Sequence, residues 1–87
     1  ETRTHELKIW PEFFTHVLSG EKTFEIRIED RTYRAGDYLL LKEWLPRNKE
    51  YTGREILKRV TYLIGGQWPG LAKGYVCMAI GDPPPND

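Results

Sequence analysis

The chain has 87 residues, 13 basic and 13 acidic side chains, and one cysteine. This length allows one small domain with a thin core, and a single cysteine excludes an internal disulfide framework. No run approaches the roughly 18 apolar residues of a membrane span, and the zero net charge argues against nonspecific coating of DNA. We therefore expect a soluble, cytoplasmic domain.

The first two predicted elements are a strand and a short helix. Residues 5–10 (HELKIW) alternate between apolar and charged side chains, as in a strand with one buried face. Pro11 suits the first turn of a helix, where its missing N–H costs no hydrogen bond, and Gly20 supplies a helix stop. Apolar side chains recur at helical spacing between them, which predicts a helix over residues 11–19 that must pack on a sheet.

Four further strands are expected after the helix. Residues 22–29 (KTFEIRIE) alternate with a period of two, so the apolar side chains share one face and the polar ones share the other. Residues 37–45 follow a turn, and their long apolar centre suggests burial on both faces. Residues 54–64 and 75–80 complete the sheet, and the loop between them is expected to contain one helical turn at residues 71–73.

This order of elements predicts an α+β, mostly β fold. We expect a small curled sheet or barrel whose open end is plugged by the one short N-terminal helix. Residues 1–4 are expected to be a tail or cloning remnant, residues 5–81 the single domain, and residues 82–87, with three prolines, a flexible tail. The composition leaves the oligomeric state open and is compatible with a monomer.

The most informative segment is residues 20–27 (GEKTFEIR). Gly20 closes the helix, and Lys22 follows beside the helix C-terminus, whose partial negative charge favours a cation. Glu25 and Arg27 share one strand face. Two interpretations have equal weight: a ligand site in which Glu25 orients the cations or accepts a hydrogen bond from an exocyclic amine of a base, and a solvent-exposed ion pair worth about 0–1 kcal/mol.

The pattern G-x-K-x-x-E-x-R, followed by an x-x-G-D turn and a hydrophobic strand, resembles the ASCH family of the PUA superfamily. The resemblance covers residues 4 to about 81 and looks like a small branch of bacteria and phages whose function is not assigned. Further segments that carry it are THELKI, EDRTYRAGD, LKEW, YTGR and GLAKGYV. It implies a PUA-like β-barrel that binds RNA or modified nucleotides in a cleft lined by Gly20, Lys22, Glu25 and Arg27.

Some ASCH relatives are enzymes, and if this chain is one, we expect Lys22 and Glu25 to be its catalytic pair. One group resembles amidohydrolases of acetylated cytidine that use a lysine, a threonine and a distant glutamate. Lys22 matches the lysine, but Glu25 stands at the threonine position, Thr23 is out of register, and the insertion that carries the distant glutamate is absent. Other relatives cleave RNA, but His5 and His16 lie on different predicted elements and do not suggest a general acid–base pair.

Further aromatic and basic residues extend the expected binding surface. Proteins hold single-stranded RNA by stacking its bases on aromatic rings and placing cations at its phosphates. Trp44, with Arg54 across a hairpin, is the best candidate platform, and Trp68 is a candidate lid. Arg31 is a further phosphate candidate, although both arginines also fit ordinary solvated surface charge. Trp10 is better explained by core packing.

The sequence therefore predicts, first, an RNA- or nucleotide-binding module that holds a single-stranded segment or a modified base beside residues 22–27. The second hypothesis is a small amidohydrolase or nuclease acting on a modified nucleoside or RNA. The third is a protein-interaction accessory factor, whose residues 44–73 carry six basic and two acidic side chains and would meet an acidic partner. No cofactor or metal is expected, because one cysteine and two distant histidines lack zinc-site spacing.

Overall fold

The computed structural model describes residues 1–85; Asn86 and Asp87, which end the expected tail, lie outside the described residues. The predicted order of strand, helix and four strands is confirmed. The elements of the described part are β1 (Thr4–Ile9), α1 (Pro11–Ser19), β2 (Phe24–Ile28), β3 (Tyr38–Leu45), β4 (Glu50–Gly65) and β5 (Tyr75–Gly81).

The five strands form one sheet in the order β1-β3-β4-β5-β2. β1 runs parallel to β3, with Leu7 opposite Leu41, and all other neighbours are antiparallel. The sheet curls into a half-barrel, and within residues 1–85 no backbone ladder joins its edge strands β1 and β2. The prediction of a small, mostly β domain with one short helix is confirmed, and the sheet is open rather than a closed barrel.

The core lies inside the curl and is covered by α1. Phe14 and Val17 of α1 are buried, and the helix contacts β3, where Leu39 and Leu41 are fully buried. Strand alternation delivers these side chains, since every second residue of β1 and β5 is buried. Burying one such side chain contributes about 1.5–3 kcal/mol, and this packing holds a helix of nine residues that would not persist alone.

The connection between β3 and β4 is shorter than residues 46–53, which lie between the two predicted strands. β4 begins at Glu50, which pairs with Leu45 across the turn. Lys49 occupies the left-handed region with φ 55°, so the chain reverses before the predicted start of the strand. The first residues of β4 are polar and exposed, and no apolar periodicity marks them as a strand.

The loop before β5 contains turns, and the helical turn predicted at residues 71–73 is wrong. The loop folds back on Gly66, where a Cβ atom would lie 2.8 Å from the carbonyl oxygen of Ala72 and 2.9 Å from the Cα atom of Lys73. This close backbone approach requires glycine at position 66.

β2 presents its polar side chains to the interior of the curl. Phe24, Ile26 and Ile28 are about half exposed, whereas Glu25 is 3% exposed. In the pairing with β5, Glu25 lies opposite the buried Met78. The predicted division of β2 into an apolar and a polar face is confirmed, but the interpretation of Glu25 as part of a solvent-exposed ion pair is wrong because its carboxylate is buried.

A second buried carboxylate closes the turn before β3. Asp37 is 2% exposed and accepts hydrogen bonds from Nε2 of His5 at 2.8 Å and from the backbone N–H groups of Arg3 and Arg34 at 3.2 and 3.1 Å. Burial alone would raise the pKa of Asp37, but these hydrogen bonds outweigh it and hold the pKa below its ordinary value. Asp37 is thus a turn residue, and Arg3 of the expected N-terminal tail takes part in the fold.

Replacing Asp37 with asparagine tests this cluster. A carboxyl whose folded pKa is depressed contributes stability above its unfolded pKa of about 3.9, and this stability is lost as pH falls through the folded value. We expect Asp37→Asn to lower the free energy of unfolding by about 1–2 kcal/mol at neutral pH and the deficit to shrink below about pH 4. Urea denaturation across this pH range measures both effects.

The matched control is Asp30→Asn, because Asp30 is exposed and pairs only with its neighbour Arg31 in the described chain. Its substitution should leave stability nearly unchanged at every pH. Equal stability of Asp37→Asn and the wild type at neutral pH would refute the structural role of this carboxylate.

Candidate functional site

A cleft of about 430 Å³, called here the first cleft, lies where the end of β1 and the start of α1 face the edge strand β2. It exists because the curled sheet is open between β1 and β2. Three aromatic and three ionisable side chains provide much of its wall: Trp10, Phe13, Phe24, Lys22, Glu25 and Arg27.

The Glu25 carboxylate bridges the two cations of the first cleft. One oxygen, Oε1, accepts a hydrogen bond from Nζ of Lys22, and Oε2 accepts one from Nε of Arg27 at 2.9 Å. A buried carboxylate without partners would be strongly destabilising, so the two cations satisfy Glu25 and Glu25 fixes their positions. The three groups together carry a net charge of +1, which leaves an excess of positive charge at the cleft.

Lys22 is held between backbone, carboxylate and aromatic rings. Its Nζ also donates to the carbonyl oxygen of Phe24 at 2.7 Å and lies 4.9 Å from the centroid of the Phe24 ring. The Phe13 ring centroid is 6.0 Å away. A lysine ammonium has three donors, so one N–H remains after the bonds to Glu25 and Phe24.

Arg27 spans the opening between the two edge strands. Its Nη2 donates to the carbonyl oxygen of Lys8 on β1 at 2.8 Å, while its Nε is bonded to Glu25 on β2. A guanidinium group has five N–H donors, and the hydrogen bonds found among residues 1–85 use two of its nitrogens. The remaining N–H groups of Arg27 can still donate to an anionic ligand. The bonds to Glu25 on β2 and to Lys8 on β1 fix the orientation of the guanidinium group.

The local backbone explains why Lys22 reaches this position. Gly20 adopts a left-handed conformation (φ 87°) and its N–H bonds to the carbonyl of Val17, which ends α1. The N–H of Lys22 then bonds to the carbonyl of His16, so the chain turns directly from the helix end into β2. Gly20 does not line the first cleft; the structure assigns it a conformational role in the motif.

The aromatic wall includes a residue that sequence reasoning assigned to the core. Trp10 is 50% exposed and its ring lies 6.2 Å from that of Phe13 at an angle of 22°. The core-packing expectation for Trp10 is therefore wrong. The sequence signal for the exposure of Trp10 is its position between the end of β1 and Pro11. This position makes Trp10 the N-cap residue of α1.

Arg31 lies along the same opening but beyond the first cleft. It lines a second cleft of about 540 Å³, which also involves Lys8, Ile26 and Arg27. The Nε of Arg31 lies 3.3 Å from Oδ1 of Asp30, and both side chains are exposed. The two clefts are thus neighbours along the gap between β1 and β2, and Arg27 belongs to both.

Arg54 is occupied by a buried carboxylate. Its Nε and Nη2 donate to the two oxygens of Glu43 at 3.0 and 3.2 Å, and its Cζ lies 4.7 Å from the ring centroid of Phe14. The Arg54 hydrogen bonds, with a further one from Thr52, hold the pKa of Glu43 below its ordinary value, and Glu43 raises the pKa of Arg54. Arg54 does not line either cleft, so the structure gives it a packing role.

The two remaining predicted tryptophans lie apart from the first cleft. Trp44 packs edge-on against Tyr51, with ring centroids 4.9 Å apart, and Nζ of Lys8 lies 3.9 Å above the Trp44 ring. Tyr51 reaches the second cleft. Trp68 is exposed in the loop after β4 and lines neither cleft, so the structure does not place it over either cleft as a lid.

The described residues hold no group of three or more side chains with metal-ligand chemistry. Among the same residues, no helix has the length and apolar character that a bilayer span requires. Neither histidine joins the cleft: His5 is buried against Asp37, and His16 bonds to Glu21 on the surface.

Comparison of the sequence with known proteins identifies the family to which the chain is similar and a related phage protein. The family described as a domain of unknown function (DUF3850) matches residues 4–80, which is nearly the whole chain. A protein of Escherichia phage P2, described as an uncharacterized 12.9 kDa protein in the GpA 3′ region, is 41% identical over 59 residues. That alignment covers 68% of this chain and 52% of the phage protein, so the chain spans about half the length of this relative.

Replacing Glu25 with glutamine tests the bridge between the cations. The glutamine amide keeps the shape of the carboxylate, but its NH₂ group is a donor and would face the N–H donors of either Lys22 or Arg27. One hydrogen bond is therefore lost. Both cations also lose the negative charge that lies between them. We expect Glu25→Gln to lower the free energy of unfolding by about 1–3 kcal/mol, as measured by urea denaturation.

The control for this substitution is Glu21→Gln. Glu21 also pairs with a neighbouring side chain, His16, but both are well exposed, and the change should have little effect on stability. If Glu25→Gln is as stable as Glu21→Gln, the carboxylate does not hold the cleft together.

Proposed function

The chain belongs to the DUF3850 family, and we propose that it is a nucleotide-binding domain that holds a nucleotide of single-stranded RNA in the first cleft. The observation that carries this proposal is the combination of Lys22 and Arg27, both fixed by one buried carboxylate, with exposed aromatic rings in the same cleft. A nucleotide joins an anionic phosphate to a flat π-system, and this cleft offers a complement to each part.

The phosphate binds to the donors that Glu25 leaves available on Lys22 and Arg27. Arginine is well suited to phosphate because its planar donors match two oxygens at once. The bonds from Arg27 to Glu25 and to the Lys8 carbonyl hold the guanidinium before the ligand arrives. Less side-chain freedom is therefore lost on binding than for a solvated arginine.

The base stacks on the aromatic wall. Trp10, Phe13 and Phe24 are each 41–50% exposed, so their rings are accessible while their edges are anchored in the domain. Stacking of one base on such a ring contributes about 1–3 kcal/mol in single-strand-binding proteins and tolerates any base. This wall suits a splayed base in a single strand better than a base inside a duplex.

The geometry favours the positioning role of Glu25 over direct reading of a base. Both of its oxygens face protein cations, and only 3% of the residue is exposed. The same contacts favour binding over hydrolysis, since Nζ of Lys22 is already engaged by the Glu25 carboxylate and the Phe24 carbonyl. Lys22 and Glu25 are therefore binding and positioning residues in this proposal.

The resemblance of residues 20–27 to the ASCH motif supports the proposal from an independent direction. That motif implies a ligand cleft beside the helix, and the three charged positions Lys22, Glu25 and Arg27 all line such a cleft in this chain. We propose on this basis that the half-barrel is a PUA-like domain.

Tryptophan fluorescence tests the proposal, with Trp44→Phe and Trp68→Phe as the background so that Trp10 alone reports. We expect the four nucleoside 5′-monophosphates to quench Trp10 and to bind more tightly than the corresponding nucleosides. Lys22→Met should weaken the monophosphates about tenfold or more, as expected for loss of one charge-assisted hydrogen bond. Arg47→Ala, an exposed cation in the β3–β4 turn, should leave binding unchanged.

Two results would count against the proposal. The first is no response of Trp10 to any monophosphate or nucleoside at millimolar concentration. The second is equal weakening by Lys22→Met and Arg47→Ala. Incubation with acetylated cytidine or short RNA should leave both intact, and turnover that Lys22→Met abolishes would support the hydrolase hypothesis instead.

A further inference from the structure

We propose that the second cleft is a subsite for the neighbouring nucleotide of the same strand, so that the smallest complete ligand is a dinucleotide. This inference rests on the proposed function of the first cleft and names its ligand class more closely. The two clefts, of about 430 and 540 Å³, both fall within the range of about 300–1,000 Å³ typical of small-ligand sites. They meet at Lys8, Ile26 and Arg27.

Arg27 fixes the place of the linking phosphate. It is the guanidinium that lies in both clefts, and its bonds to Glu25 and to the Lys8 carbonyl hold it across the gap between them. A phosphodiester that joins two nucleosides must pass over this boundary if one base occupies each cleft. Arg27 therefore contacts the phosphate between the bases, and Lys22 lies on the side of the first base.

The walls of the second cleft repeat the chemistry of the first. Tyr75 and Tyr51 are 37% and 46% exposed and offer ring faces or edges to a base. Tyr51 is supported from behind by its edge contact with Trp44. This contact gives the Trp44 platform predicted from the sequence a place in the second subsite.

The charges of the second cleft favour a single phosphate over a polyphosphate. Arg31, Lys8 and Arg27 face two acidic side chains, Glu6 and Asp30, in the same lining. The acidic pair offsets most of the positive charge, so a triphosphate extending into this cleft would meet carboxylates. A nucleoside that carries only its linking phosphate meets no such opposition, and the exposed Arg31 lies in the lining beside it.

The exposed apolar face of β2 is also consistent with the binding of two successive nucleotides. Phe24 and Ile26 line the first cleft, and Ile26 and Ile28 line the second. These side chains alternate along the strand and are about half exposed, so they form a continuous apolar edge along both clefts. Such an edge provides contact area for two successive bases and accounts for three large exposed apolar side chains on a five-residue strand.

A ligand series tests the second subsite, with isothermal titration calorimetry as the readout so that all three tryptophans, including Trp44, stay in place. The probes are uridine 5′-monophosphate, the dinucleotide pUpU and the trinucleotide pUpUpU. We expect the dinucleotide to bind at least tenfold more tightly than the monophosphate, and the trinucleotide to gain no more than about threefold over the dinucleotide, apart from statistical factors. Arg31→Ala and Tyr75→Ala should each remove most of the dinucleotide gain and leave the affinity for the monophosphate unchanged.

Tyr62→Ala is the matched control, because Tyr62 is an exposed tyrosine of β4 that lines neither cleft. It should retain the full dinucleotide gain. Arg31→Ala keeps the test informative if Tyr75→Ala fails to fold, since Arg31 lies in an exposed loop.

The outcomes separate this inference from the function on which it rests. Equal affinity for the mono- and dinucleotide, or a dinucleotide gain that survives both Arg31→Ala and Tyr75→Ala, overturns the second subsite while nucleotide binding stands. A steady gain with each added nucleotide overturns it too, because that pattern indicates nonspecific charge attraction. Absence of binding by all three probes overturns both proposals.

Discussion

The arrangement of the candidate site depends on one buried carboxylate between two cations. Glu25 faces the interior of a curled sheet, where an unpaired negative charge would be strongly destabilising, and Lys22 and Arg27 each supply a partner to one of its oxygens. The pairing works in both directions, since the cations stabilise the buried carboxylate and the carboxylate restricts their freedom. A net positive charge with fixed geometry remains at the mouth of the first cleft.

The open edge of the sheet makes this positive charge accessible to a ligand. Because β1 and β2 are not joined by a ladder, their facing edges leave a gap, and Arg27 bridges it through the carbonyl of Lys8. The bridge divides the gap into two clefts of similar chemistry, each with aromatic and basic side chains. A closed barrel would satisfy the same backbone groups by hydrogen bonding and leave no groove along β2.

The sequence predicted the elements and the motif, but it left open which way β2 faces. The alternation of side chains along β2 shows that Glu25 and Arg27 share a face, but it does not show whether that face lies inside the curl of the sheet. The usual rule places Phe24 and Ile26 inside, and here the buried ion bridge reverses it. Only the pairing of β2 with β5 at Met78 decides the question, and such long-range pairing is not visible in one strand.

The long-range partners of the other candidates were equally hidden. In the sequence, nothing distinguishes Arg54 from an ordinary solvated arginine. In the folded chain, the β3–β4 hairpin brings it next to Glu43, to which it donates two hydrogen bonds. Core packing is expected for Trp10 because a small domain commonly fills its core with large aromatic side chains, whereas the structure places it half-exposed in the lining of the first cleft. The position of Lys22 beside the helix end is visible in the sequence because it depends on a local feature, the helix stop at Gly20.

The binding of phosphate by the cations that Glu25 holds is tested most directly by NMR. The guanidinium resonances of Arg27 are followed during titration with uridine 5′-monophosphate and, separately, with uridine. We expect a resolved Nε–H resonance in the ligand-free protein, because this group is bonded to a buried carboxylate. We also expect the monophosphate to shift the Arg27 resonances and uridine to leave them in place. Arg27 resonances that stay unchanged at saturating monophosphate, while signals elsewhere in the protein move, would contradict the central claim that the Glu25-bound cations receive the phosphate.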